Sequence, residues 1–149
     1  MSAQELIIDN ENKTISVMFT RETTMSQDDV LGQILAYNLL NDVVVHGNMI
    51  AGDIPPVYLD YESAGYSRMR VPLYLSNGRF TARMVLRFKE GKYLVEVVNL
   101  RFVDTQSSLP GTTYMYDCVE DFAFNITEKL TLLHIDKVSM FFPVADEWK

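Results

Sequence analysis

Apolar and polar residues alternate with a period of two through most of residues 68–103, and the phases of that alternation interlock. Asn77-Gly78 is a strong hairpin signal, because a type I′ turn needs positive φ at both central positions. A hairpin centred there sets Leu75 against Phe80, Leu73 against Ala82, Val71 against Met84 and Met69 against Leu86. A second two-residue turn at Glu90-Gly91 sets Phe88 against Tyr93, Leu86 against Val95 and Met84 against Val97. Every pair lands on one apolar face, and a one-residue slip would turn the set outward. The pattern predicts a three-stranded antiparallel meander.

Outside the meander the period changes twice. Leu6–Ile8 and Thr14–Phe19 read as two short strands joined by a polar turn at residues 9–13. Ser26 is a good helix N-cap, and Val30, Leu31, Ile34, Leu35 and Leu39 follow at helical spacing, so a helix is expected from there to about Asn41. Val43-Val44-Val45 restarts an extended segment, in which Gly47 and Gly52 mark a bulge or sharp bend. Residues 104–113 read as a loop. Asp117 with Glu120 looks like a capping box for a second helix, with Val119, Phe122, Ala123, Ile126, Leu130 and Leu133 as its core stripe.

Two amphipathic helices then have one apolar surface to cover, the face carrying Met69, Val71, Leu73, Phe80, Met84, Leu86, Val95 and Val97. Burying each side chain of that size is worth roughly 1.5–3 kcal/mol. The expected class is α+β: a twisted antiparallel sheet with two helices packed on one face. The other face is left to solvent or a partner. The 149 residues are expected to form a single domain with a core at about residues 14–135, and residues 138–149 to be either a final strand or a packed extension.

Composition adds little to this, but charge adds more. The apolar and charged fractions, 48% and 22%, are those of ordinary globular chains, and no apolar run is long enough to span a membrane as a helix. Cys118 is the only cysteine, so an internal disulfide is excluded. The opening Met1-Ser2-Ala3-Gln4-Glu5 has no basic or apolar leader, yet a small residue before Gln-Glu suits the junction left by a signal peptidase. The reading adopted is export to the periplasm or cell envelope, with a cytoplasmic start as the alternative. The net charge is −7, but residues 68–102 carry +6 and the remainder −13. Such asymmetry speaks to partners rather than to fold.

The order strand, helix, glycine-punctuated strand (Val45-His46-Gly47-Asn48-Met49-Ile50-Ala51-Gly52), meander and helix resembles a known family. So does the hairpin Arg87-Phe88-Lys89-Glu90-Gly91-Lys92-Tyr93 with Val95, Val97, Asn99 and Phe102 after it. The family comprises mostly exported Bacteroidetes domains of unknown function whose fold is similar to that of TATA-binding protein. The likeness spans roughly residues 14–135. The family often has a Trp in the first helix, where the nearest aromatic here is Tyr37. The resemblance implies a fold and export. It brings no catalytic residues.

The candidate site is therefore sought on the outer sheet face. With Met69 and Val71 inward, Arg68 and Arg70 point outward beside Arg83, Arg87 and Lys89, and Arg68 falls opposite Arg87. Like charges in register are destabilising, which suggests they hold an anion: a small anionic molecule, or an acidic protein or glycan surface. The plainer reading is a solvated face partly neutralised by Glu96. Nucleic acid is not expected, because the acidic remainder would repel a duplex and no aromatic stripe interleaves with the arginines.

Other chemistry is weakly signalled. His46 and His134 lie in no metal-binding spacing, and His134 is expected in the last turn of its helix, where a cation is favourable. Cys118 reads as a small buried hydrophobe. No catalytic motif, metal or cofactor is expected. The working expectation is a non-catalytic binding domain. The alternative is a small-molecule or lipid carrier with an apolar cavity beneath the helices, and a His46 catalytic pair with Asp53 or Glu62 ranks below both.

Overall fold

The computed structural model describes residues 6–108 and 110–139. The strands are β1 (Leu6–Asp9), β2 (Thr14–Glu22), β3 (Asn41–His46), β4 (Met49–Asp53), β5 (Arg79–Lys89), β6 (Lys92–Asp104) and β7 (Gly111–Tyr114), and the helices are α1 (Gln27–Ala36), α2 (Leu73–Asn77) and α3 (Phe124–Ser139). All strand pairs are antiparallel, in the order β1-β2-β6-β5-β4-β3, with β7 also on β6. β6 is long enough for two neighbours on one edge. Its first half takes β2 and its last four residues take β7, in a stretch the sequence pattern assigns to a loop.

The Glu90-Gly91 hairpin forms in the expected register: Phe88 faces Tyr93, Leu86 faces Val95 and Met84 faces Val97. The first hairpin does not form. Arg68–Arg70 is a single 3-10 turn, Leu73–Asn77 is helical, and Gly78 has φ −99°, not the positive value of a type I′ turn. The cause is Pro72. It supplies no N–H to a sheet ladder, but its φ of −64° suits the entry of a helix, so the segment winds instead of pairing. Met69 and Leu73, expected inward, are 95% and 72% exposed. The strand that does lie beside β5 is β4, which pairs Gly52 with Met84 and Ile50 with Leu86.

The bend at Gly47 is a full reversal. Gly47, at φ 57°, turns β3 into β4 as a two-residue hairpin. α1 begins as expected, with the Ser26 hydroxyl accepting from the Asp29 N–H at 3.1 Å. The second long helix starts later than Asp117 suggests. Met115–Cys118 is a 3-10 turn, the Asp121 carboxylate accepts from the Ala123 N–H, and Phe122 is left 87% exposed. The final strand or packed extension expected toward the C-terminus lies, beyond Ser139, outside the described residues.

One irregularity decides which side chains reach the core. Arg83 faces Val98 but Thr81 faces Arg101, so β6 carries one extra residue there, at Asn99 with φ 57°. Before the bulge the odd-numbered Tyr93, Val95 and Val97 point inward; after it Leu100 and Phe102 do. Together with Ile15, Val17 and Phe19 of β2 and Phe80, Met84 and Leu86 of β5, they meet Val30 and Ile34 of α1 and Ile126, Leu130 and Ile135 of α3. Asn99→Val should cost about 1–2 kcal/mol in urea unfolding, because a β-branched residue resists the left-handed region, while Asn99→Gly should be near neutral.

Candidate functional site

The described helices lie on one side of the sheet, and among the described residues none forms a layer over the other side. Three rows cross it. Val98, Arg83 and Asp53 stand side by side; next come Met18, Glu96, Val85, Ala51 and Val44; then Thr20, Leu94, Arg87, Met49 and His46. Beyond these, at the hairpin end, Glu22, Lys92 and Lys89 form a shorter row. Ala51 is buried, at 2% exposure, but the other residues of these rows are partly or fully exposed and lie outside the buried core cluster.

The charges on this face are organised in pairs. Arg83 Nη1 lies 3.2 Å from the Asp53 carboxylate, and Arg87 Nη2 lies 3.9 Å from that of Glu96. Arg87 also rests against the Met49 sulfur at 3.6 Å. All four side chains are partly exposed, so each pair is worth at most about 1 kcal/mol. Among the described residues Lys89 has no ion-pair partner, and it faces Lys92 directly across the hairpin. The like-charge pair in register is thus Lys89–Lys92, not Arg68–Arg87.

Arg68 and Arg70 are not on this face. The Arg70 guanidinium sits 5.8 Å over the Tyr66 ring, whose contacts include Lys129 of α3, so it belongs to the helical side. Arg68 donates to the Asn77 carboxamide oxygen at 3.3 Å, within a cleft of about 380 Å³ that Tyr58, Asp104 and Ser107 also line. Of the five expected site residues, the fold keeps Arg83, Arg87 and Lys89 together on β5 and separates the other two. The missed strand break at Pro72 accounts for both misplacements.

The remaining candidates have ordinary surroundings. His46 stands at the hairpin end of β3, while Asp53 closes the far end of β4 on Arg83, so that pair is not assembled. Asp60 is held low in pKa by the Ser63 hydroxyl and N–H. Burial raises the Cys118 thiol pKa, and its Sγ contacts the Tyr114 carbonyl. Among the described residues no three His, Cys, Asp or Glu side chains gather closely enough for a metal ion, and no helix is long and apolar enough to cross a membrane.

His134 departs from expectation. α3 continues to Ser139, so this residue is not in the last turn, and its ring packs edge-on to Phe80 at 5.8 Å. Burial, then the nearby Lys137, lower its pKa below the ordinary 6.5. The unfolded chain therefore binds a proton that the native state resists, and stability falls as pH drops below about 6.5. His134→Leu should flatten that part of the stability–pH profile relative to the parent chain, as followed by chemical denaturation between neutral and mildly acidic pH.

Large described side chains pack between the layers. Phe80, Met84, Tyr93, Phe102 and Ile135 are each at most 1% exposed. Clefts open at the rim instead, one of about 420 Å³ between residues 57–64 and α3, and one of about 320 Å³ between α2 and β7.

No protein-family model and no curated protein matches the chain by sequence. Solved structures do match by fold. A TBP-like protein from Parabacteroides distasonis superposes with a TM-score of 0.61 at 11% identity, over 89% of this chain and 92% of that one. A DUF4468 family protein from Bacteroides ovatus gives 0.56 at 14% identity, over 95% and 94%. The fold is the TBP-like α+β fold that the resemblance implied, seen here in a chain similar to Bacteroidetes domains. At such identities the likeness carries fold and nothing more.

Proposed function

We propose that this is a non-catalytic binding domain whose open sheet face recognises an extended acidic surface through Arg83, Arg87 and Lys89. One observation carries the reading: β5 fixes these three cations in a line on the face that no described helix covers. Four residue steps along the strand take Arg83 to Arg87, about 13 Å, and Lys89 extends the line to about 20 Å. A single phosphate or carboxylate is too small to engage such a line. An acidic protein face or an anionic glycan is not, and the interleaved Met18, Val85 and Leu94 offer apolar contact between the charges.

The ion pairs shape this mechanism. Asp53 and Glu96 hold the two guanidiniums in place while leaving each partly exposed, so a partner carboxylate meets donors that are already oriented. Expected export to the cell envelope belongs to the same reading. The apolar-cavity alternative finds less support, because large side chains occupy the interlayer space.

The test compares linear polyanions (polyglutamate, an acidic glycan) with inorganic phosphate in thermal unfolding and direct binding, at low and moderate salt. The polymers should stabilise the parent chain, the effect should fade with salt, and Arg83→Ala/Arg87→Ala/Lys89→Ala should abolish it. Equal stabilisation of the triple variant, or none of the parent, would remove the proposal.

A further inference from the structure

At the end of β6 remote from the Glu90-Gly91 hairpin, a cleft of about 380 Å³ lies between α2 and the start of the β6–β7 connection. Tyr58, Arg68, Asn77, Asp104, Gln106 and Ser107 line it, so its wall is almost wholly polar. Leu100 and Phe102 of β6 point to the core, and Asp104 at the next alternate position shares their side of the sheet. The cleft is therefore separate from the open face and its arginines.

One cation and one anion stand in this cleft, and they are not paired with each other. Arg68 Nη2 donates to the Asn77 carboxamide oxygen at 3.3 Å. The Asp104 carboxylate accepts from the Ser107 hydroxyl, from the Ser107 N–H at 3.0 Å and from the Gln106 N–H at 3.1 Å, and these bonds hold its pKa low. Among the described residues neither charge has an ion-pair partner. Opposite charges at one cleft attract, yet each of these is tethered by neutral groups of its own neighbourhood, and the space between them is left open.

We infer that this cleft binds a small zwitterion, a free amino acid or short peptide, with its carboxylate on Arg68 and its ammonium group at Asp104. A guanidinium presents a planar fork that a carboxylate meets with two hydrogen bonds. An ionised carboxylate held in place by its loop is a matching acceptor for an ammonium group. A simple anion would gain at Arg68 and lose at Asp104, and a simple cation the reverse. Asn77, Gln106 and Tyr58 add neutral hydrogen-bonding groups for the backbone of such a ligand. The cleft between α2 and β7 shares Asn77, Asp104 and Ser107 with this one, and its Leu73 and Tyr74 offer an apolar side chain a surface to lie on.

Glycine, dialanine and trialanine, whose end charges stand progressively further apart, are the probes, titrated into the full chain by calorimetry and backbone amide resonances. At least one should saturate, with shifts at residues 68, 76–77 and 104–107. For the peptide that binds best, N-acetylation or C-terminal amidation should each weaken binding by about tenfold or more. Arg68→Ala should make the chain indifferent to amidation, and Asp104→Asn indifferent to N-acetylation. Asparagine still accepts from the loop N–H groups and Arg68 is exposed, so both variants should keep the parent circular dichroism and thermal stability. Arg83→Ala/Arg87→Ala/Lys89→Ala should bind the peptide as the parent does. The inference is overturned if no zwitterion saturates, if the blocked peptides bind as well as the free one, or if the triple variant loses binding.

Discussion

Phe102→Ala is expected to reduce the free energy of unfolding by about 3–5 kcal/mol, the largest effect of any single truncation considered for this chain. The ring is 1% exposed and stands where three elements meet. It packs on Tyr74 of α2 with centroids 5.2 Å apart and on Phe80 of β5 at 5.7 Å, and Phe80 in turn meets His134 of α3. Removing it would leave a void bounded by strand and helix backbones, which cannot readily collapse. The Tyr74 hydroxyl, 2.7 Å from that of Thr127, would lose the packing that holds it there. Urea denaturation should show the midpoint falling with little change in slope. A loss below about 1.5 kcal/mol would mean that the site relaxes around the missing ring.

Gly78→Ala is expected to cost about 3 kcal/mol, and the reason separates the observed structure from the hairpin that the sequence suggests. A Cβ at residue 78 would lie 2.5 Å from the Tyr74 carbonyl oxygen and 3.1 Å from Phe102 Cβ. The first is backbone that cannot rotate away. The backbone φ of −99° itself is open to alanine, so the cost comes from close approach and not from a left-handed turn. Asn77→Ala provides the contrast. In a type I′ turn it would be costly, but at the end of α2 it should change stability by no more than about 0.5 kcal/mol. Equal large losses at both positions would restore the hairpin reading and contradict the α2 assignment.

The sequence was most legible where two independent signals agreed. At Glu90-Gly91 the turn residues and the inward register of Phe88–Met84 against Tyr93–Val97 point to one pairing, and it forms. At Asn77-Gly78 the same two signals agreed by coincidence. Val71, Leu73 and Leu75 alternate as a strand does, yet Pro72 sits among them, and a missing N–H outweighs a favourable dipeptide. The Asn99 bulge has no sequence signature beyond an asparagine, a residue that tolerates positive φ, so the change of phase to Leu100 and Phe102 was not readable. β7 is four residues of Gly-Thr-Thr-Tyr, too short and too polar to show a period.

The candidate site inherits those strengths and weaknesses. Arg83, Arg87 and Lys89 follow from the hairpin that was read correctly, and they do share the open face. Arg68 and Arg70 followed from the hairpin that was not, and they lie elsewhere. The acids that organise the face divide in the same way. Glu96 was visible across the hairpin, whereas Asp53 beside Arg83 depends on β4 pairing with β5, a long-range contact with no local signal.

On the proposed reading, the open face of β5 and β6 binds an extended acidic surface. Titrating isotope-labelled protein with linear polyglutamate and following backbone amide resonances tests it most directly. Shifts should concentrate at residues 83–89 and 92–96 and fade with salt, with α1 and α3 unmoved. Shifts that gather instead around Arg68, Arg70 and the helical side, or no shifts at low salt, would contradict it.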